Sequence, residues 1–164
     1  MAGSTGGLRR VNGLGAILRH LRRKERNQIM QVQPYLFFDG RCDEALEFYK
    51  KAIGADVKMV MRWKDSPDKN MCTPGNADKV MHAQFQVGET TIMTSDGRNT
   101  GHPKFDGFAL SIAAKDEADA DKMFAALGDG GQVTMPLGKT FFSPRFGMLA
   151  DKFGVHWMIL VPQH

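Results

Sequence analysis

The chain has 164 residues, 42% hydrophobic and 24% charged, which suits one soluble domain with a sizeable core. No apolar run approaches the roughly 18 residues that cross a bilayer, so a membrane span is not expected. The formal charge of +4 divides unevenly: residues 1–29 carry +6 and the remaining 135 carry −2, so the body offers nucleic acid no electrostatic footing.

Residues 1–29, rich in Gly and Arg, read as a basic N-terminal extension, either disordered or a start-site artefact before a natural start at Met30. The competing reading is an Arg-rich amphipathic targeting helix. A secretory signal fits badly, because the charge follows the apolar stretch Val11–Leu21. The single domain is expected over 30–164.

From Gln31 to Phe38 the residues are apolar enough for a strand, with Pro34 near its start. Asp39-Gly40-Arg41 is turn chemistry. A helix follows, with Ala45, Phe48, Tyr49, Ala52 and Ile53 on one face, acidic residues early, Lys50 and Lys51 late, and Gly54 as its stop. Asp56–Trp63 reads as a second strand and Asp65–Asp78 as a long mobile loop of the kind that serves as a lid or binding loop. Val80–Val87 alternates, with Met81, Ala83, Phe85 and Val87 on the apolar face and His82, Gln84 and Gln86 on the other. Thr90–Ser95 completes this set. Cys42 and Cys72 form no metal-site spacing and read as lone thiols of a reduced cytoplasm.

The pattern then restarts. Phe108–Ala113 is a strand, and Asp116 caps a helix whose stripe is Ala120, Met123, Phe124 and Leu127, ending at Gly128. Gln132–Pro136, Arg145–Ala150 and Val155–Val161 are three more strands. An offset of 74 residues aligns Leu36 with Leu110, Ala52 with Ala126 and Gly54 with Gly128 without a gap. The body is therefore expected to be α+β, with two tandem βαβββ modules over about 31–97 and 106–162.

Tyr35-Leu-Phe-Phe-Asp-Gly40, Glu44-Ala-Leu-Glu-Phe-Tyr49, Met81-His-Ala83, Ser95-Asp96, Gly130-Gly-Gln-Val-Thr-Met-Pro136, Arg145-Phe-Gly147 and Asp151-Lys-Phe-Gly-Val-His-Trp157 run in a familiar order. In these blocks the chain resembles the vicinal oxygen chelate superfamily (glyoxalase, bleomycin resistance and dihydroxybiphenyl dioxygenase proteins). Within it, the resemblance is to the PhnB-like group, also labelled 3-demethylubiquinone 3-methyltransferase-like. The resemblance implies curled half-barrel sheets lining a ligand cavity, often in a homodimer that completes the pocket.

Metal-dependent members of the superfamily place ligands on the first and last strand of each module. Carried over, those positions fall at Gln33, Met93, near Ala109 and Met158, and only Gln33 offers a tolerable donor. His82 is the most suggestive single residue, able to act as acid, base or ligand. The expected pocket residues are Gln33, Tyr35, Trp63, His82, Gln84, Met93, Phe142, Arg145 and Met158. Phe142 and Ser143 stand where the group's pattern has Trp and Gly. His156, beside a turn, reads as structural or exposed. A methyltransferase would want a Gly-rich loop directly after a first strand, and Gly13-Leu-Gly15 and Gly128-Asp-Gly-Gly131 are both misplaced for it.

The leading expectation is a cytoplasmic protein that binds a small molecule in its cavity, without a catalytic metal or other cofactor. One alternative is a divalent-metal lyase, isomerase or dioxygenase using His82 and Gln33. Another is sequestration of a drug or metabolite.

Overall fold

A computed structural model describes residues 30–97 and 103–163. Gln33–His164 is one compact unit, while the expectations for residues 1–29 lie outside the described residues. The first module comprises β1 (Tyr35–Phe37), α1 (Cys42–Ile53), β2 (Asp56–Arg62), β3 (Val80–Val87) and β4 (Thr90–Ser95). The second comprises β5 (Leu110–Ala113), α2 (Glu117–Leu127), β6 (Gln132–Gly138), β7 (Phe146–Ala150) and β8 (His156–Leu160). Each module makes a four-stranded sheet of the same order, β1-β4-β3-β2 and β5-β8-β7-β6. In each, the first strand runs parallel to the last and the helix supplies the crossover that a parallel pair requires. The α+β architecture of two βαβββ modules is thus present.

Several boundaries differ from expectation for local reasons. β1 starts at Tyr35, not Gln31. Pro34 has no N–H to give to the ladder, and its carbonyl accepts the Met93 N–H at 2.9 Å as the pairing ends. β5 likewise starts at Leu110 and leaves Phe108 outside. In β3, a register shift pairs His82 with Met61 and Val80 with Arg62, so Met81 bulges out. Val80 takes the core place that simple alternation assigned to Met81, and is fully buried.

Helix α1 buries Ala45, Tyr49, Ala52 and Ile53, with Phe48 packed at the margin. Gly54 closes it in the left-handed conformation at φ 65°. Gly128, its counterpart by alignment, is right-handed at φ −76°, and the left-handed turn waits until Gly130. At Gly147 a Cβ would lie 2.7 Å from Phe124 Cε2 and 2.9 Å from Leu137 Cα, so only glycine lets α2 sit this close to β7.

One core joins the modules. Tyr49 stacks on Phe85 of the first sheet at 5.5 Å and meets Trp157 of the second edge-on at 5.6 Å. Phe38 touches both Phe105 and Phe153. The Tyr49 hydroxyl donates to Asp151 at 2.7 Å, and Trp157 Nε1 donates to the same carboxylate at 2.8 Å. Burial, reinforced by Asp151, pushes the Tyr49 phenol well above its ordinary value. On the rim, Glu44 of α1 pairs with Lys152 at 2.9 Å. The two helices also pack on one another. Both sheets therefore spend their inner faces on this core and turn their other faces outward.

The segment after β2 is more built than a bare loop. It contains 3-10 turns at Trp63–Asp65 and Lys69–Met71. Its neck is closed by Trp63 N–H to Lys79 O at 3.2 Å and Lys64 N–H to Ala77 O at 2.9 Å. Ser66 is buried, and Asn76 ties Thr73 to Met71. That is the construction of an Ω-loop.

Candidate functional site

Cross-strand register places residues directly opposite one another on the same face of a sheet. Tyr35 faces Met93, Met93 faces Gln84, and Gln84 faces Met59, so one row crosses all four strands of the first sheet. Phe37 faces Ser95 and Met61 faces His82, giving a neighbouring row. The opposite face carries Leu36, Ala83, Phe85, Ile92 and Thr94, all buried against the helices. The outward row is open by contrast: Tyr35 is 37% exposed, Phe37 52% and Met59 36%.

On this open face three side chains form a chain of hydrogen bonds. The Tyr35 hydroxyl lies 3.1 Å from His82 Nδ1, and Gln84 Nε2 lies 3.3 Å from His82 Nε2. Tyr35 reaches over β4 to do this, and its ring sits 5.7 Å from the imidazole and 4.9 Å from Phe37. Met59, Met61 and Met93 supply polarizable apolar surface around the polar chain. None of these residues is a carboxylate, lysine or arginine.

The other expected pocket residues lie elsewhere. Gln33 precedes Pro34, outside β1, and the residue facing Met93 is Tyr35. Trp63 sits in the 3-10 turn beyond β2 and is half-buried. Met158 belongs to the open face of the second sheet, where Ser111, Met158, Met148 and Met135 form the corresponding row. His156 lies on β8 opposite Ala150. Phe142 is 45% exposed and packs edge-on against Phe141 and Phe146. Arg145 reaches α2, where its Nε and Nη2 donate to Asp121 at 2.8 and 2.6 Å. Ser143, the departure from the group's glycine, is fully buried and bonds both Arg145 and Val161 backbone groups.

Phe37, Met59 and Met61 join the open face without having been expected there. The signal was present as two-residue spacing in β1 and β2, but nothing local said which parity faces outward.

A hard divalent ion wants oxygen-rich or imidazole ligands converging from separate strands. Around His82 the face offers one imidazole with both nitrogens engaged, a phenol, a carboxamide and thioethers. Among the described residues no three His, Cys, Asp or Glu side chains come together. The donor set does not fit the superfamily's metal centre. Cys42 is not a nucleophile in waiting either. Burial pushes its thiol up to about 12, with Asp96 adding to the shift and the hydrogen bond to Thr94 opposing it. Both Cys42 and Cys72 are free.

The strand order and paired modules define the glyoxalase/bleomycin resistance fold. A glyoxalase/bleomycin resistance/dioxygenase domain from Frankia shares that fold at 15% identity and a TM-score of 0.58, over 84% of this chain and 98% of that one. The family model for 3-demethylubiquinone-9 3-methyltransferase matches residues 30–160, and the chain belongs to that PhnB-like family. Protein PA1353 from Pseudomonas aeruginosa is 36% identical with a TM-score of 0.74, covering 83% of this chain and all of that one. A putative 3-demethylubiquinone-9 3-methyltransferase, PhnB protein, from Bacillus cereus is 28% identical with a TM-score of 0.66, over 80% of this chain and 99% of that one.

Proposed function

We propose that this protein binds a small organic molecule on the open face of its first sheet, around His82, without a catalytic metal. The observation that carries the reading is the Tyr35–His82–Gln84 chain, three bonded polar side chains with Phe37, Met59, Met61 and Met93 around them. A few convergent polar groups in apolar surroundings are what a small-molecule site requires. Absence of metal is supported by the Tyr35–His82–Gln84 donor set, which holds no carboxylate, while Asp56 further along β2 is engaged by Lys58.

The face becomes a cavity when covered. We take the cover to be the second sheet of another copy in a homodimer. Exposed apolar side chains on both sheets, Met59 and Phe37 on one and Val133 and Met135 on the other, support that pairing. A cytoplasmic location is supported by the two free thiols. Among the described residues no helix is long and apolar enough to cross a membrane.

The methyl transfer in the family's description is not carried over to this chain. Cofactors with phosphate or carboxylate groups commonly dock at the N-terminus of the first crossover helix. Here the Asp96 carboxylate already accepts the Cys42 N–H at 2.8 Å, at the start of α1.

Native mass spectrometry of protein purified from its own host tests the proposal. The expected species is a dimer carrying an organic ligand that is absent from His82→Ala. A stoichiometric divalent metal that disappears in the same variant, or a ligand-free monomer, would overturn it.

A further inference from the structure

The open face also specifies what kind of atom it recognises, provided the small-molecule reading above holds. With the Gln84 amide turned as it is, its Nε2 is a donor 3.3 Å from the imidazole Nε2, which in that arrangement accepts. A neutral imidazole that accepts at Nε2 carries its proton on Nδ1. That proton points at the Tyr35 oxygen, 3.1 Å away, which makes Tyr35 the acceptor in this bond. Among the described residues, no other hydrogen bond engages the Tyr35 hydroxyl. Its own proton is left to turn outward on a side chain that is 37% exposed.

The surroundings narrow the class further. Met93 faces Tyr35, Met59 flanks Gln84 and Met61 faces His82, while the Phe37 ring lies 4.9 Å from the Tyr35 ring. Thioethers and ring edges favour a flat, polarizable partner. The residues around Tyr35, His82 and Gln84 include no lysine or arginine, and Lys58 at the β2 bulge is held by Asp56. A carboxylate or phosphate seated there would therefore lose its hydration without a free countercharge. A neutral carbonyl oxygen loses less and gains the phenol donor.

We propose that Tyr35, oriented by the Gln84–His82 pair, is the specificity-determining donor for the carbonyl oxygen of a planar aromatic ligand. In this arrangement Gln84 is a positioning residue. It acts through the imidazole and fixes which ring nitrogen holds the proton.

Two measurements test this. Long-range proton–nitrogen NMR on imidazole-labelled protein reads the tautomer directly. The expected spectrum shows His82 protonated on Nδ1, and an Nε2-protonated ring would overturn the donor assignment while leaving small-molecule binding intact. Binding is then compared for two isosteric probes, 2-acetylnaphthalene and 2-isopropenylnaphthalene, which differ in a carbonyl oxygen against a methylene. The native chain is expected to prefer the ketone about fivefold to tenfold, as one net hydrogen bond allows. Tyr35→Phe is expected to bind both probes equally at the alkene's affinity. Gln84→Leu is expected to lower the ratio of ketone to alkene affinity and to abolish the Nδ1-protonated signature of His82. Equal binding of the two probes by the native chain overturns the inference but not the small-molecule reading. Failure of both probes to bind also overturns it, and the native mass spectrum then decides the broader reading separately.

Discussion

In the first module a buried carboxylate, Asp96, ends β4 and holds the start of α1 through the Cys42 N–H, with Val80 N–H as its second donor at 2.7 Å. In the second module the buried carboxylate is Asp151, in the turn before β8, and α2 is capped by its own Asp116. Asp151 instead gathers Phe153 N–H, Val155 N–H, Trp157 Nε1 and the Tyr49 hydroxyl from the first module. The outer faces diverge in the same way. Where the first sheet sets Tyr35, His82 and Gln84 among methionines, the second has Ser111 and three methionines in register. The two modules share strand order and contribute their inner faces to one core. The first module thus carries the bonded Tyr35–His82–Gln84 set, and the second carries the carboxylate that joins the modules.

That division can be broken at the joint first. Asp151→Ala strands four donors, two of them backbone, and is expected to cost about 3–5 kcal/mol in urea unfolding. A loss below about 1 kcal/mol would mean that Asp151 does not hold the modules together. Asp96→Ala strands two backbone donors within one module and is expected to cost about 2 kcal/mol. Its signature is local: faster amide exchange in the first turn of α1, with α2 unchanged. Equal loosening of both helices would erase the contrast between the carboxylates.

Tyr49→Phe removes one hydroxyl and leaves Asp151 three donors, so about 1–2 kcal/mol is expected. The smallest effect is at the rim. Hydrogen bonds from Arg41 and then Lys152 lower the Glu44 carboxyl from 4.5 to about 2. A folded value below the unfolded one stabilises the fold above the unfolded value, and this support is lost as pH falls from about 4.5 towards 2. The side chain is about half exposed, so solvent screening keeps the contribution below ~1 kcal/mol. Glu44→Gln should flatten the acid limb of stability against pH by a few tenths of a kcal/mol. Superimposable acid limbs would show that the pairs with Arg41 and Lys152 contribute nothing.

Much of this architecture was legible from the chain. The stripe of Ala45, Tyr49, Ala52 and Ile53 marked α1 because helical periodicity is local, and Asp116 announced its own cap. The repeat offset gave the second module by comparison with the first. What escaped depended on partners far along the chain. β1 begins only at Tyr35 because a proline cannot extend the ladder, so Gln33 lies before the strand and Tyr35 stands opposite Met93. The bulge at Met81 broke the alternation, although His82 and Gln84 kept the outward face. β2 and β6 are edge strands with exposed side chains on both faces, so their alternation carried little information. Arg145 looked like a pocket residue from its aromatic neighbours, but its guanidinium is held by Asp121 on α2, 24 residues earlier. Tyr35 meets His82 across an intervening strand, and no local spacing reveals a bond between residues 47 apart.

The most direct test of a ligand face on the first module is a methionine-methyl NMR titration with 2-acetylnaphthalene. Met59, Met61 and Met93 report that face, Met135, Met148 and Met158 report the second sheet, and Met123 reports the packed side of α2. The expected result is saturable shifts at Met59, Met61 and Met93 that weaken in Tyr35→Phe, with Met123 unmoved. Shifts confined to the second sheet or to Met123 would contradict the assignment.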